Sequence, residues 1–130
     1  MSSVRNKRIL LIEPSSLTGS IIVATARQLN LSPVYLVSSV RSAEQRLNQE
    51  DFFAIIVSLE EDRDAVHLIE RLRNEHFSTV NAKIPIAVIT SSVNASLALE
   101  MKVLEVRRVL LKPFKVRDVI TTIQMLQQSN

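Results

Sequence analysis

Four short apolar runs in this chain each end in a residue that can do chemistry. Ile9-Leu10-Leu11-Ile12 ends at Glu13-Pro14, Ile55-Ile56-Val57 at Ser58, Ile86-Ala87-Val88-Ile89 at Thr90, and Val109-Leu110-Leu111 at Lys112-Pro113-Phe114. The set is one carboxylate, two hydroxyls and one ammonium. An unactivated hydroxyl is a weak nucleophile. Magnesium prefers several hard oxygen ligands in near-octahedral geometry, with carboxylates supplying the charge. Glu13 alone is a thin donor set for such an ion, and Pro14 carries no side-chain oxygen. Glu60, two residues past Ser58, is the one further carboxylate that could join Glu13 in a weak cation site.

The elements that must position these residues follow from periodicity. Strands are expected at 8–12, 34–37, 53–57, 86–89 and 108–111. Helical spacing fills the intervals: a helix over 16–29, a second marked by Val40, Ala43 and Leu47, a third by Ala65, Leu68, Ile69 and Leu72. A fourth covers 94–104, and the last carries Val116, Val119, Ile120, Ile123 and Leu126 on one stripe. Aliphatic runs without alternation read as strands covered by helices on both faces. Five βα units therefore give an α/β, doubly wound parallel sheet, in one domain over 1–130 with an ordered core near 7–128. Ligands of such sheets sit outside the carboxyl ends of the strands, where Glu13, Pro14, Ser58, Thr90 and Lys112 lie.

Composition excludes much. With no cysteine there are no disulfides, thiolate metal sites or cysteine nucleophiles. A single glycine, Gly19, excludes glycine-rich phosphate loops and argues against a nucleotide. Aromatic residues are 4% and tryptophan is absent, so a net charge of +3 does not point to nucleic acid, because bases would have little to stack on. No stretch approaches a membrane span, and the basic segment 1–8 leads into a run too short for a signal peptide, so cytoplasm is expected. His67 and His76 are nine residues apart and fit no common ligand spacing. The acidic stretch 60–64 lacks the length and glycine of a calcium loop and is expected to serve the start of the third helix.

The order of the runs, closed by Lys112-Pro113, resembles the CheY-like receiver domain of bacterial response regulators over nearly the whole chain. That resemblance implies a flavodoxin-like five-stranded sheet of order 2-1-3-4-5 with five helices, and a pocket in which an acidic pair and an acceptor aspartate hold magnesium. Thr90 and Lys112 match the family's positions. Glu13-Pro14 stands where the acidic pair is usual and Ser58 where the acceptor aspartate is usual. Val109 replaces the aromatic switch residue three places before the lysine. The resemblance is therefore to a degenerate receiver, a non-enzymatic two-component signalling module with no cofactor. An unpaired ammonium is costly to bury, so Lys112 is expected to pair with Glu13, with Ser58 and Thr90 completing a neutral hydrogen-bonded network.

Binding would then fall to a surface, with a protein partner or a homodimer as the occupant. One candidate is the first helix, nearly uncharged, where Gly19, Ile22 and Val23 join Leu17, Ile21 and Ala24. The other, which receivers commonly use, combines Leu99 and Met101 with Arg107 and Arg117 in a basic rim suited to an acidic protein. The rival reading is a phosphorylatable receiver of a phosphorelay, using Glu13 and Glu60 for a cation and regulating an attached or separate output domain. Direct DNA binding by this domain is the third class and would show steep salt dependence.

Overall fold

The computed structural model describes residues 8–128. Lys7 and the rest of the basic start of the chain lie outside them. The elements run β1 (Ile9–Ile12), α1 (Ser16–Gln28), β2 (Val34–Val37), α2 (Val40–Leu47), β3 (Ala54–Ser58), α3 (Asp64–Arg73), β4 (Ile86–Thr90), α4 (Ala95–Val103), β5 (Arg108–Leu111) and α5 (Val116–Gln127). All strand pairs are parallel, in the order β2-β1-β3-β4-β5. The α/β doubly wound sheet expected from the aliphatic runs is present, in the strand order that the resemblance implied.

Two boundaries shift in a way that matters. β3 and β4 extend through Ser58 and Thr90, because Ser58 pairs in register with Ile89 and Thr90 with Leu111. Both hydroxyl residues are thus held by the sheet rather than by loops. At the other ends, Arg8 and Phe53 precede their strands although Phe53 N–H still donates to Arg8 C=O.

Alternate strand residues face opposite layers. Leu10, Ile12, Ile55, Val57 and Val88 pack with Leu47 of α2, Leu68 and Leu72 of α3 and Met101 of α4. Ile9, Leu11, Ile56 and Ile89 pack with Ile22 and Ala26 of α1 and Val119, Ile123 and Leu126 of α5. Two buried threonines in the second layer donate to carbonyls of their own helices, Thr25 to Ile21 and Thr122 to Asp118. Burial therefore leaves neither hydroxyl unpaired.

The helix ends are set locally. Ser15, Ser39 and Asn94 accept N–H groups in the first turns of α1, α2 and α4. The carboxylate of Asp62 accepts the Asp64 N–H at the start of α3, as the acidic stretch suggested, although Arg63 is the cap residue itself. At the far end of α3, Arg73 donates to the carbonyls of Ala82, Ile84, Leu104 and Glu105. It fastens α3, the loop into β4 and the end of α4 together, and burial lowers its pKa. Near β2, Glu50 takes hydrogen bonds from Arg8 and Arg46, which hold its carboxyl below the ordinary value.

Gly19 corrects a sequence expectation. It and Ile22, which is 1% exposed, face inward, and a Cβ on Gly19 would lie 2.7 Å from Leu36 Cδ2 of β2. The glycine permits α1 to approach its own sheet; it does not mark an outer contact. Val23 is only half-buried. Gly19→Val is expected to destabilise the fold by about 1–3 kcal/mol through overpacking. Leu36→Ala in the same chain should recover part of that loss, measured by urea unfolding as a non-additive pair.

Candidate functional site

At the carboxyl edge of the sheet Ser58, Thr90 and Lys112 line a recess of about 380 Å³ together with Glu60, Glu61, Ser91 and Ser92, and Glu13 lies buried beside Lys112. Glu13 is the most constrained of them. Its backbone N–H donates to Val37 C=O, which carries the β1–β2 ladder one residue further. Its side chain is turned inward and the residue is only 2% exposed. Oε2 accepts the Ser15 N–H at 3.0 Å, and Oε1 lies 3.5 Å from Lys112 Nζ while making no hydrogen bond.

A buried carboxylate must be compensated. Here two partial compensations meet: the ammonium of Lys112 and an N–H at the entrance to α1, where the helix dipole favours negative charge. Lys112 is held for the role by its own backbone, since its N–H donates to Thr90 C=O at 2.9 Å and continues the β4–β5 ladder. The following peptide bond, to Pro113, is cis. The Lys112 side chain remains 29% exposed, so the pair is closed on the carboxylate side and open on the ammonium side.

The expected network of Ser58 and Thr90 around this pair does not form. Ser58 Oγ donates to Glu60 Oε2 at 2.8 Å, and Thr90 Oγ1 donates to Ser92 C=O at 3.0 Å. Each hydroxyl turns to an acceptor two residues along its own loop because that acceptor is carried by the turn leaving the strand. The site is thus three separate local arrangements. Pro14 is exposed and borders a smaller recess of about 140 Å³ beside Ser58, Glu60 and Asp62. Val109 is half-buried against the layer that contains Val88 and Met101.

Sequence reading missed a second ion pair on the rim. Arg63, at the start of α3, makes a two-pronged contact with Glu100 of α4, with 3.1 Å and 2.5 Å bonds. Hydrogen bonding to Arg63 lowers the Glu100 pKa. The two residues are 37 positions apart, and nothing local in the sequence pairs them. The Ser58–Glu60 contact, by contrast, had a signal in its two-residue spacing at a strand end.

On the α4 side the candidate surface also changes. Met101 is 3% exposed and belongs to the core, whereas Leu99 and Val103 are 64% and 72% exposed, one turn apart. Leu111 of β5 and Val116 of α5 are further exposed apolar residues. Arg107 and Arg117 are both exposed, the first just before β5 and the second in the first turn of α5.

No family model matches the chain, and no curated protein matches it. Solved structures do. An orphan response regulator of H. pylori is 18% identical, with 94% of this chain and 97% of that one covered at a TM-score of 0.78. A response regulator from Thermotoga maritima is 18% identical, with 95% and 99% covered at 0.79. A two-component response regulator from Legionella pneumophila is 19% identical, with 93% and 98% covered at 0.74. The structural neighbours are response-regulator receiver domains, and this chain has their flavodoxin-like fold.

The residues present do not fit the magnesium ion of that family. Among the described residues no three Asp, Glu or His side chains gather into a ligand set. The one fully buried carboxylate at the edge already faces an ammonium. Removing that ammonium is the sharpest probe of the arrangement. Lys112→Met is expected to destabilise the protein by about 1–3 kcal/mol, less than for a fully buried pair because the lysine is partly exposed. In the Glu13→Leu/Lys112→Met double variant most of the loss should return, measured by denaturant unfolding at neutral pH.

Proposed function

We propose that this chain is a non-enzymatic receiver-fold module, a single domain that takes part in cytoplasmic signalling by binding protein without aspartyl phosphorylation. The observation that carries this reading is Ser58 at the end of β3, a neutral side chain where a receiver pocket needs its acceptor carboxylate. The engagement of Lys112 by Glu13 supports it, because the cation that would meet a transferred phosphoryl group already has an anion at 3.5 Å. A lysine already engaged by a carboxylate has less to gain from an incoming phosphoryl group.

The partner face best supported is that of α4, β5 and α5. Leu99, Val103 and Leu111 supply exposed apolar ground, and Lys102, Arg107, Lys115 and Arg117 supply positive charge around it. An apolar centre with a basic rim suits an acidic protein surface, the charges setting orientation and on-rate.

One observation favours a second reading, in which the pocket accepts a phosphoryl group in its own manner. Glu60 accepts the Ser58 hydroxyl hydrogen at 2.8 Å, which sets a base on that oxygen. Glu60 and Glu61 also line the recess, with Lys112, so an incoming phosphoryl group would meet two carboxylates and one ammonium there. Incubation with a small-molecule phosphodonor and magnesium, followed by intact-mass measurement, separates the readings. The chain should stay at its unmodified mass. A stoichiometric phosphoryl adduct that disappears in Ser58→Ala would establish the second reading in place of the first.

A further inference from the structure

The outward side of the α1/α5 layer differs in kind from the rest of the surface. From Pro14 to Ala26, and again from Val119 onward, the sequence holds no charged residue, although charged residues are 22% of the whole. These two stretches belong to adjacent helices over the same face of the sheet. α1 carries only Arg27, in its last turn, and α5 only Arg117 and Asp118, in its first, whereas α2 carries Arg41, Glu44 and Arg46, α3 carries Asp64, Glu70, Arg71 and Arg73, and α4 carries Glu100 and Lys102. Solubility alone would fill exposed helix positions with charge.

The neutral side is also partly apolar. Leu17 and Ile21, one turn apart on α1, are 72% and 42% exposed. Ser20 and Ala24 beside them are exposed and small, and the adjoining side of α5 presents Thr121 and Gln124. The centre is aliphatic and the border consists of uncharged hydrogen-bonding groups.

We infer that this α1/α5 side is a two-fold contact between copies of this chain. The argument for a second copy is electrostatic. In a two-fold contact the same patch meets itself, and residues near the axis face their own counterparts. Any charged residue there would meet its like, which is costly at an interface. A different protein could be matched by opposite charges, as the basic rim near α4 can be; a copy of the same chain cannot be matched that way near the axis. With a net charge of +3, two copies repel in general, and the uncharged side is where approach adds no local repulsion.

Size sets the strength. Helices of 13 and 12 residues rising about 1.5 Å per residue, roughly 10 Å apart, outline a patch on the order of 400 Å². Two copies would together bury about 800 Å², less than the roughly 1,200 Å² at which specific, stable interfaces begin, so the dimer is weak and concentration-dependent. The inference does not depend on whether the pocket accepts phosphate, since it rests on the opposite side of the sheet from α4.

Sedimentation velocity of the full 130-residue chain over a rising concentration series tests it. The average mass should climb from the 14.6 kDa monomer toward twice that value. Ile21→Glu should weaken association by at least about tenfold, because it sets like charges face to face. Should that variant fold poorly, Ser20→Arg at an exposed position makes the same test. The chain has no cysteine of its own, so Ser20→Cys should form a disulfide-linked dimer under mild oxidation much faster than Gln45→Cys on the exposed side of α2. A monomer at every soluble concentration, a dimer indifferent to both charge variants, or equal cross-linking at the two cysteines would overturn the inference.

Discussion

A buried carboxylate sets the terms for the carboxyl edge of this sheet. Glu13 is sequestered where β1 passes into α1, and a charge in that place must be answered by another. Lys112 answers it from the end of β5, and a backbone N–H at the head of α1 answers it from the other side. The strands that deliver these groups are separated in the sheet by β3 and β4. The ion pair therefore reaches across the crest of the sheet, above the two strands whose last residues, Ser58 and Thr90, carry no charge.

Those neutral residues decide what the edge can do. With a carboxylate at Ser58 the pocket would have excess negative charge and a reason to bind a cation. With serine, the nearest carboxylate takes up the serine's own hydrogen, and Thr90 turns to its own loop. The two hydroxyls are each satisfied locally, and the buried carboxylate of Glu13 faces Lys112. The helical surface on either side of the sheet has two characters. The α4 side is apolar with positive charge about it, fastened below by Arg73 and at the rim by Arg63 with Glu100. The α1/α5 side has no charge over most of its length. One suits an unlike partner and the other a like one.

Much of this was legible in the residues. The aliphatic runs at 9–12, 55–57 and 86–89 could only be strands covered on both faces, and the sheet follows from them. The approach of Lys112 to Glu13 followed from the cost of leaving an ammonium without a partner. Errors arose where a helix is apolar on more than one side. Gly19, Ile22 and Met101 looked like surface material because the apolar excess of α1 and α4 was plain but its direction was not. Inward and outward positions are fixed by the sheet beneath, and Leu36 under Gly19 is a tertiary fact. The neutral network of Ser58 and Thr90 failed because each hydroxyl found a nearer acceptor in the turn that follows it. Arg73 and the Arg63–Glu100 pair were invisible, since their partners are distant in sequence and ordinary in type.

The most direct measurement is an amide-resolved NMR titration of the chain with magnesium, then with beryllofluoride, a non-covalent mimic of a bound phosphoryl group. If Glu13 and Lys112 satisfy one another and Ser58 offers no carboxylate, the resonances of Glu13, Ser58, Thr90 and Lys112 stay where they are through both additions. A second, slowly exchanging set of resonances at Thr90 and Lys112 in the presence of both reagents would contradict a self-satisfied pocket.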